Sequence, residues 1–238
     1  MPNKLQHPVA LIPTYNESES ILGLLRKILN ADERLEVLVI DDASPDGTAD
    51  LVKKNFSQRV HLLRRAGKLG YASACREGIF WALEKDFDAF VIMDADGSHN
   101  PSDIPILLQK IEEGADIAAG SRYLDGVRVL NWPMSRLLLS AGGGIYVRAF
   151  TGLPLTDPTS GFKAIRKETA EKLPWEKLNS NGYCFNIETY FFAWKKNLKI
   201  AEAPIIFTER RKGASKMTFR IMIEAILRVL KLFFYRWV

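Results

Sequence analysis

Residues 89–96 read Ala89-Phe90-Val91-Ile92-Met93-Asp94-Ala95-Asp96. The apolar run predicts a short buried strand. At its exit, Asp94 and Asp96 stand two positions apart, so in extended backbone their side chains point the same way. Two carboxylates aimed together repel unless a cation sits between them. Oxygen donors suit a hard divalent ion, Mg²⁺ or Mn²⁺, and sites built on few carboxylates leave coordination positions for substrate phosphates. The stretch therefore predicts a strand that delivers metal-assisted chemistry to a phosphate-bearing substrate.

Outward from this strand, the same pattern of apolar run and polar exit repeats. Val9-Ala10-Leu11-Ile12 leads into Pro13-Thr14-Tyr15-Asn16-Glu17, and a β-branched run over 35–40 breaks at Asp41-Asp42-Ala43-Ser44-Pro45-Asp46-Gly47-Thr48. Further strands are predicted over 60–64 and 116–120, the latter ending at Ser121-Arg122. Between them lie helical patterns over 18–30, 49–55, 70–83 and 102–113, the first with Ile21, Leu24, Leu25 and Ile28 on one face. Strands alternating with helices imply a Rossmann-like α/β domain with a mostly parallel sheet flanked by helices. Ligands of such sheets bind outside the carboxyl ends of the strands, where four polar exits converge here. No Gly-x-Gly-x-x-Gly follows the first strand and no P-loop occurs, which argues against a dinucleotide-binding or P-loop domain. Gly142-Gly143-Gly144 follows a helical pattern and reads as close helix packing.

With 238 residues, 47% of them apolar, the chain suits one α/β domain with a C-terminal extension. The net charge of +5 is concentrated: residues 208–220 carry five cations and one acid. Cys75 and Cys184 match no zinc or redox spacing and read as reduced structural thiols of a cytosolic protein, and His7, His61 and His99 form no ligand spacing. No signal-peptide segment and no long uninterrupted apolar run are present. In the tail, Arg220, Glu224, Arg228 and Lys231 form a narrow polar stripe on an otherwise apolar helix ending in Tyr235 and Trp237. Such a helix docks on the core or lies in a bilayer surface, and both readings stay open. Nucleic-acid binding is disfavoured, because the basic cluster lacks interleaved aromatics and no recognised motif occurs.

The motifs at 13–17, 39–48 and 93–99 resemble the family 2 glycosyltransferases of GT-A fold. Ser121-Arg122-Tyr123, Trp132-Pro133-Met134-Ser135-Arg136, Thr159-Ser160-Gly161-Phe162, Gly182-Tyr183-Cys184-Phe185, Glu188, and Arg210 through Gly213-Ala214-Ser215-Lys216 narrow the resemblance to the dolichol-phosphate (polyprenol-phosphate) mannosyltransferases. The resemblance covers residues 9–217. It implies a GT-A catalytic domain over 1–217 and an amphipathic helix over 218–238 that serves as a membrane-surface anchor. The implied reaction is metal-dependent, inverting transfer of mannose from GDP-mannose to a polyprenyl monophosphate.

By the same resemblance, Pro13, Tyr15, Glu17, Ile40 and Asp42 hold the donor nucleoside, and Asp94, Ala95 and Asp96 meet its diphosphate through Mg²⁺ or Mn²⁺. Arg122, Arg210 and Lys216 reach phosphate oxygens, while Arg122, Arg136 and Ser140 lie near the acceptor phosphate. Asp94, Asp96, Arg122 and Arg136 carry the catalysis. Ser98 stands where some members have a metal-ligating Gln, so it is at most a weak ligand there. The C-terminal transmembrane pair of some relatives is absent, which implies a cytoplasmic protein, peripheral on the cytoplasmic face of a membrane, with small membrane-anchoring subunits as possible partners. Gly213 within the basic loop reads as the hinge of a phosphate-clamping lid. A phosphate monoester nucleophile is anionic at neutral pH, its second pKa being about 6, so no catalytic base is assigned. Two alternatives remain: a UDP-glucose-dependent glucosyltransferase for the same lipid, and a catalytically inactive membrane-associated binding subunit.

Overall fold

A computed structural model describes residues 4–178, 180, 182–209 and 219–235. Its first half follows the predicted alternation: β1 (Pro8–Thr14), α1 (Ile21–Ala31), β2 (Glu36–Asp41), α2 (Thr48–Asn55), β3 (Val60–Arg64), α3 (Tyr71–Leu83), β4 (Ala89–Ile92), α4 (Ile104–Glu112) and β5 (Ile117–Ser121). The second half is less regular: β6 (Val129–Leu130), α5 (Met134–Thr151), β7 (Lys163–Arg166), α6 (Lys167–Lys172), α7 (Tyr183–Lys195), β8 (Ile200–Pro204), β9 (Phe207–Thr208) and α8 (Phe219–Tyr235).

Seven strands form one sheet in the order β3-β2-β1-β4-β7-β5-β8. All run the same way except β7, which is antiparallel to both β4 and β5. The inserted β7 was not anticipated, because Lys163-Ala164-Ile165-Arg166 carries a charge at each end and shows no strand alternation. β6 and β9 make a separate two-stranded ribbon.

Period-two alternation sorts the strands into two apolar layers. Val9, Leu11, Leu38 and Ile40 face a layer completed by α3, α7 and α8; Ala10, Ile12, Val37 and Val39 face one completed by α1 and α4. The predicted face of α1, Ile21, Leu24, Leu25 and Ile28, is the buried one. Gly78 lets α3 ride close to β2, since a Cβ there would stand 2.9 Å from Ile40 Cδ1.

The chain winds from β1 outward through β2 and β3, then returns to place β4 on the other side of β1. That reversal leaves a crevice between the carboxyl ends of β1 and β4, where ligands of such sheets bind. Asp94 and Asp96 follow β4 there.

Candidate active site

β4 stops at Ile92, and the Met93 amide still donates to the Leu11 carbonyl at 3.2 Å, so Asp94 leaves the sheet with its backbone anchored. Both acids are half-buried, and Ala95 between them is buried. The Ser98 amide and hydroxyl donate to Asp96 Oδ1 at 3.0 and 2.5 Å, which turns the chain at Gly97 (φ +75°). Ser98 is thus buried as the partner of Asp96. Ser20 Oγ lies 3.4 Å from the Ala95 carbonyl and donates to Glu17 Oε2 at 3.1 Å, linking the start of α1 to the acid pair. His99 stacks on Phe162 at 5.0 Å; burial holds its imidazole below the ordinary value despite the nearby Asp94 and Asp96. Among the described residues no group of three or more His, Cys, Asp or Glu side chains gathers to hold a metal.

The exits of β1 and β2 lock each other. Thr14 Oγ1 donates to Asp41 Oδ1 at 3.2 Å, and Asp41 also receives the Ser44 amide and hydroxyl at 2.9 and 2.6 Å. Asp46 receives the Thr48 hydroxyl at 2.6 Å and the Ser18 amide at 3.0 Å. Burial pushes the Asp46 carboxyl up, but these hydrogen bonds outweigh it and hold it at about 2. The Glu17 amide donates to Thr48 Oγ1 at 3.0 Å.

Of the residues expected around the donor nucleoside, Pro13, Tyr15 and Glu17 line the β1 exit, half-buried. The Ile40 side chain enters the apolar core instead. Asp42 is buried, pairs with the Arg65 guanidinium and accepts the Gly70 amide at 2.8 Å, so it ties the 65–70 loop to the sheet. Arg65 also pairs with Glu77 at 2.8 Å, and Lys68 Nζ stands 3.9 Å from the Tyr15 ring centroid. Neither Arg65 nor Lys68 stood out in the sequence. The only signal was their position in a Gly-containing loop following β3.

On the other side of the acids, Arg122 leaves β5 and is gripped by Asp157: Nε and Nη2 donate to its two oxygens at 2.6 and 2.7 Å, and Nη2 to Thr159 Oγ1 at 2.8 Å. Burial alone would push Asp157 up, but Arg122 holds it below the ordinary carboxylate value. Glu202 sets this loop by accepting the Thr156 and Asp157 amides at 2.8 and 3.0 Å. The Trp132 ring brings two of the expected acceptor residues together, with Arg122 Cζ at 5.5 Å and Arg136 Cζ at 4.4 Å from its centroid. Arg136 also pairs with Glu209. Ser140 Oγ accepts from Tyr123 Oη at 2.8 Å, which joins the third to the group. Arg210 and Lys216 lie outside the described residues. Past them, Arg228 of α8 pairs with Glu188, a fully buried acid of α7, and so fixes the tail helix to the domain.

The chain matches the family model described as Glycosyl transferase family 2 over residues 9–174. It is 40% identical over 227 residues to the polyprenol monophosphomannose synthase of Mycolicibacterium smegmatis, covering 94% of this chain and 86% of that protein. It is 41% identical over 223 residues to the undecaprenyl-phosphate mannosyltransferase of Micrococcus luteus, covering 93% and 91%. Its fold is similar to that of glucosyl-3-phosphoglycerate synthase from Mycobacterium tuberculosis, solved with Mn²⁺, uridine diphosphate and glucosyl-3-phosphoglycerate. The TM-score is 0.73 at 18% identity, covering 95% of this chain and 80% of that one. This likeness shows a GT-A-like α/β fold with a mostly parallel central sheet.

Proposed function

The chain belongs to glycosyl transferase family 2, and from that premise we propose that it transfers mannose from GDP-mannose to a polyprenyl monophosphate. The observation that carries this reading is the pair of relatives near 40% identity over almost the whole chain, both named for mannose transfer to a polyprenyl phosphate lipid. The placement of Asp94 and Asp96 just after β4, and of Arg122 and Arg136 together at the Trp132 ring beyond β5, supports it.

Asp94 and Asp96 offer hard oxygen donors, and no third His, Cys, Asp or Glu joins them among the described residues. They would hold a small hard cation, with room left for phosphate oxygens and water. When bound, Mg²⁺ or Mn²⁺ supplies Lewis-acid stabilisation of the charge that develops on the leaving diphosphate. The locked loops at 14–18 and 41–48 hold the nucleoside end through Pro13, Tyr15 and Glu17. Asp42 acts from behind, by holding the Arg65–Gly70 segment in place.

The nucleophile is an acceptor phosphate oxygen. It forms a bond to C1 of mannose on the face opposite the leaving GDP oxygen, and the configuration inverts. A phosphate monoester carries its negative charge already at neutral pH, so no side chain has to take a proton. Arg136, paired with Glu209 and stacked on Trp132, is placed to meet that phosphate with the bidentate geometry a guanidinium offers. Arg122 braces the same shelf through Asp157. Arg210 and Lys216 add cations for the diphosphate.

The lipid acceptor also bears on α5 and α8. Both leave apolar side chains exposed, Leu138 and Leu139 on α5 and Ile226, Leu227 and Phe234 on α8, with Leu227 61% and Phe234 69% exposed. Tyr146 of α5 donates to the Ile226 carbonyl at 3.1 Å, so the two helices pack together. Among the described residues no helix is long and apolar enough to cross a membrane. These helices lie on the cytoplasmic bilayer surface and bring the crevice to the lipid phosphate.

The test is transfer of radiolabelled sugar into organic-extractable lipid, with GDP-mannose or UDP-glucose, with and without Mg²⁺ or Mn²⁺. Metal-dependent label from GDP-mannose alone is expected. Label from UDP-glucose alone would change the donor, and no label from either, with folded protein, would overturn the reading.

A further inference from the structure

The loop between β3 and α3 is pinned at both ends to one carboxylate. At its start the Arg65 amide donates to the Asp41 carbonyl at 2.9 Å, and the buried guanidinium pairs with Asp42 and reaches Glu77 at 2.8 Å. At its end the Gly70 amide donates to the second Asp42 oxygen at 2.8 Å, with Gly70 at φ +93°, where a side chain would be strained. Ala66, Gly67, Lys68 and Leu69 span the gap, and Leu69 is 59% exposed at the crown. Lys68 is the cation of that crown. It is exposed, and among the described residues its ammonium has no carboxylate partner; Nζ stands 3.9 Å from the centroid of the half-buried Tyr15 ring.

An exposed cation–π contact is weak, and it does not account for so firm an anchorage. The loop, tied to the exit of β2, lays a cation on an aromatic face at the exit of β1. Such a face is a platform for a flat nucleobase, because every base has a π-face to stack. A base lying on Tyr15 would bring its edge beneath the Lys68 ammonium. That ammonium has three N–H donors and no acceptor, so it rewards an edge of acceptors and penalises an amino group. Guanine presents two acceptors side by side, O6 and N7, whereas adenine presents an amino group beside N7.

We propose that Lys68 is a specificity-determining residue of the donor site: its ammonium reads the O6 and N7 edge of a guanine stacked on Tyr15. Asp42 and Arg65 are positioning residues for it, since they fix both ends of its loop. The inference rests on the reading of Tyr15 as part of the nucleoside pocket, and it narrows the nucleotide held there to a 6-oxopurine.

The experiment is calorimetric titration of the full chain with GDP, IDP, ADP and UDP, Mn²⁺ being present, in the wild type, Lys68→Met and Lys68→Arg. IDP keeps O6 and N7 and lacks the 2-amino group, so it isolates the edge in question. Lys68 is exposed, so all three proteins are expected to melt alike. The wild type should bind GDP and IDP alike and ADP about tenfold more weakly, the scale of one good two-point base contact. Lys68→Met keeps the length of the side chain and should lose about tenfold for GDP and IDP with ADP unchanged. Lys68→Arg, whose guanidinium meets O6 and N7 as a pair, should keep the preference. Equal weakening of all four nucleotides in Lys68→Met would assign the ammonium to the phosphates and overturn the base reading. Unchanged GDP affinity in that variant, or a wild type indifferent to the base, would overturn the role of Lys68 and leave the nucleoside pocket standing. A wild type that binds UDP and no purine diphosphate, or none of the four, would overturn the donor reading and this one with it.

Discussion

At the exits of β1 and β2, polar side chains are satisfied within and between two facing turns: Asp41 holds Ser44 and Asp46 holds Thr48 locally, while Asp46 also holds Ser18 and Thr48 holds Glu17, 28 and 31 residues back. At the exit of β5 neither guanidinium has a local acid among the described residues. Arg122 is gripped by Asp157, 35 residues on, and Arg136 by Glu209, 73 residues on, with Trp132 stacked between them. In the proposed reading the first is the donor side, a cradle of short turns for a nucleotide, and the second is the acceptor side, an aromatic and cationic shelf for a phosphate headgroup. The first is held partly by caps within its own turns, the second by long-range pairs.

The strongest way to break this contrast is to remove one member of a buried pair on each side. Asp157→Ala strands Arg122 and should cost about 3–5 kcal/mol of unfolding free energy in urea titrations, because an uncompensated charge is left buried. Asp42→Ala leaves Arg65 with Glu77 as its remaining acid and should cost less. Different kinetic signatures would sharpen the comparison: raised acceptor KM for Asp157→Ala, raised donor KM for Asp42→Ala. A loss under 1 kcal/mol in either would show that its pair is not a structural clamp. Next in size, Asp94→Ala should lower kcat by about 10²–10³-fold in the lipid-labelling assay with little change in melting temperature, the scale expected when an electrostatic stabiliser of the transition state is lost. Retained activity would remove Asp94 from the site.

The same contrast accounts for what was legible in the sequence. The first half could be read almost element by element, because each βα unit carries its own periodicity and its own polar exit. The Asp94–Asp96 pair was visible for that reason, two acids at one strand end. β7 was hidden, since its first residue is a lysine, and a buried lysine looks like a surface one until its partner Asn186, 23 residues on, is in place. α7 is buried on most of its surface, with Asn186, Glu188 and Thr189 inside among its apolar side chains, and such a helix shows no clean stripe to read. The Arg65 clamp escaped notice because its partners, Asp42 and Glu77, sit on different elements. Resemblance reached Arg122 and Arg136, but their grip by Asp157 and Glu209 emerged only from the fold.

Smaller effects test the acceptor side alone. Arg136→Ala should raise KM for the polyprenyl phosphate about tenfold and leave the donor KM unchanged. It should cost less than about 1 kcal/mol of stability, because the Arg136–Glu209 pair is about one-third exposed and solvent-screened. A change confined to the donor KM would move Arg136 to the other half of the site. The double change Leu139→Asp and Leu227→Asp should weaken partition onto anionic vesicles severalfold in flotation assays while leaving the melting temperature unaltered. Undiminished partition would separate α5 and α8 from the membrane.

The smallest expected effect lies at the opposite end of the sheet and guards the pH argument. There Glu36 bridges His7 at 2.7 Å and His61 at 2.5 Å. The hydrogen bond to Glu36 raises His7 above its ordinary 6.5, against the opposing pull of burial. Burial pushes Glu36 up, but the two imidazoles outweigh it and hold it low. A histidine raised on folding contributes fully below its unfolded value and loses that contribution as pH rises through the folded one. A carboxylate lowered on folding contributes above its unfolded value and loses it as pH falls through the folded one. The bridge is therefore strongest at mildly acidic pH, between the two. With His7 44% exposed, solvent screening keeps its share under about 1 kcal/mol. That window overlaps the one in which an acceptor phosphate, with its second pKa of about 6, gains a proton and loses nucleophilicity. His7→Ala should therefore remove the mildly acidic gain in stability seen by denaturant titration and leave the fall in transfer rate below about pH 6 where it was. A rate profile that moved with His7→Ala would locate the titrating group in the protein and overturn the assignment of that fall to the acceptor.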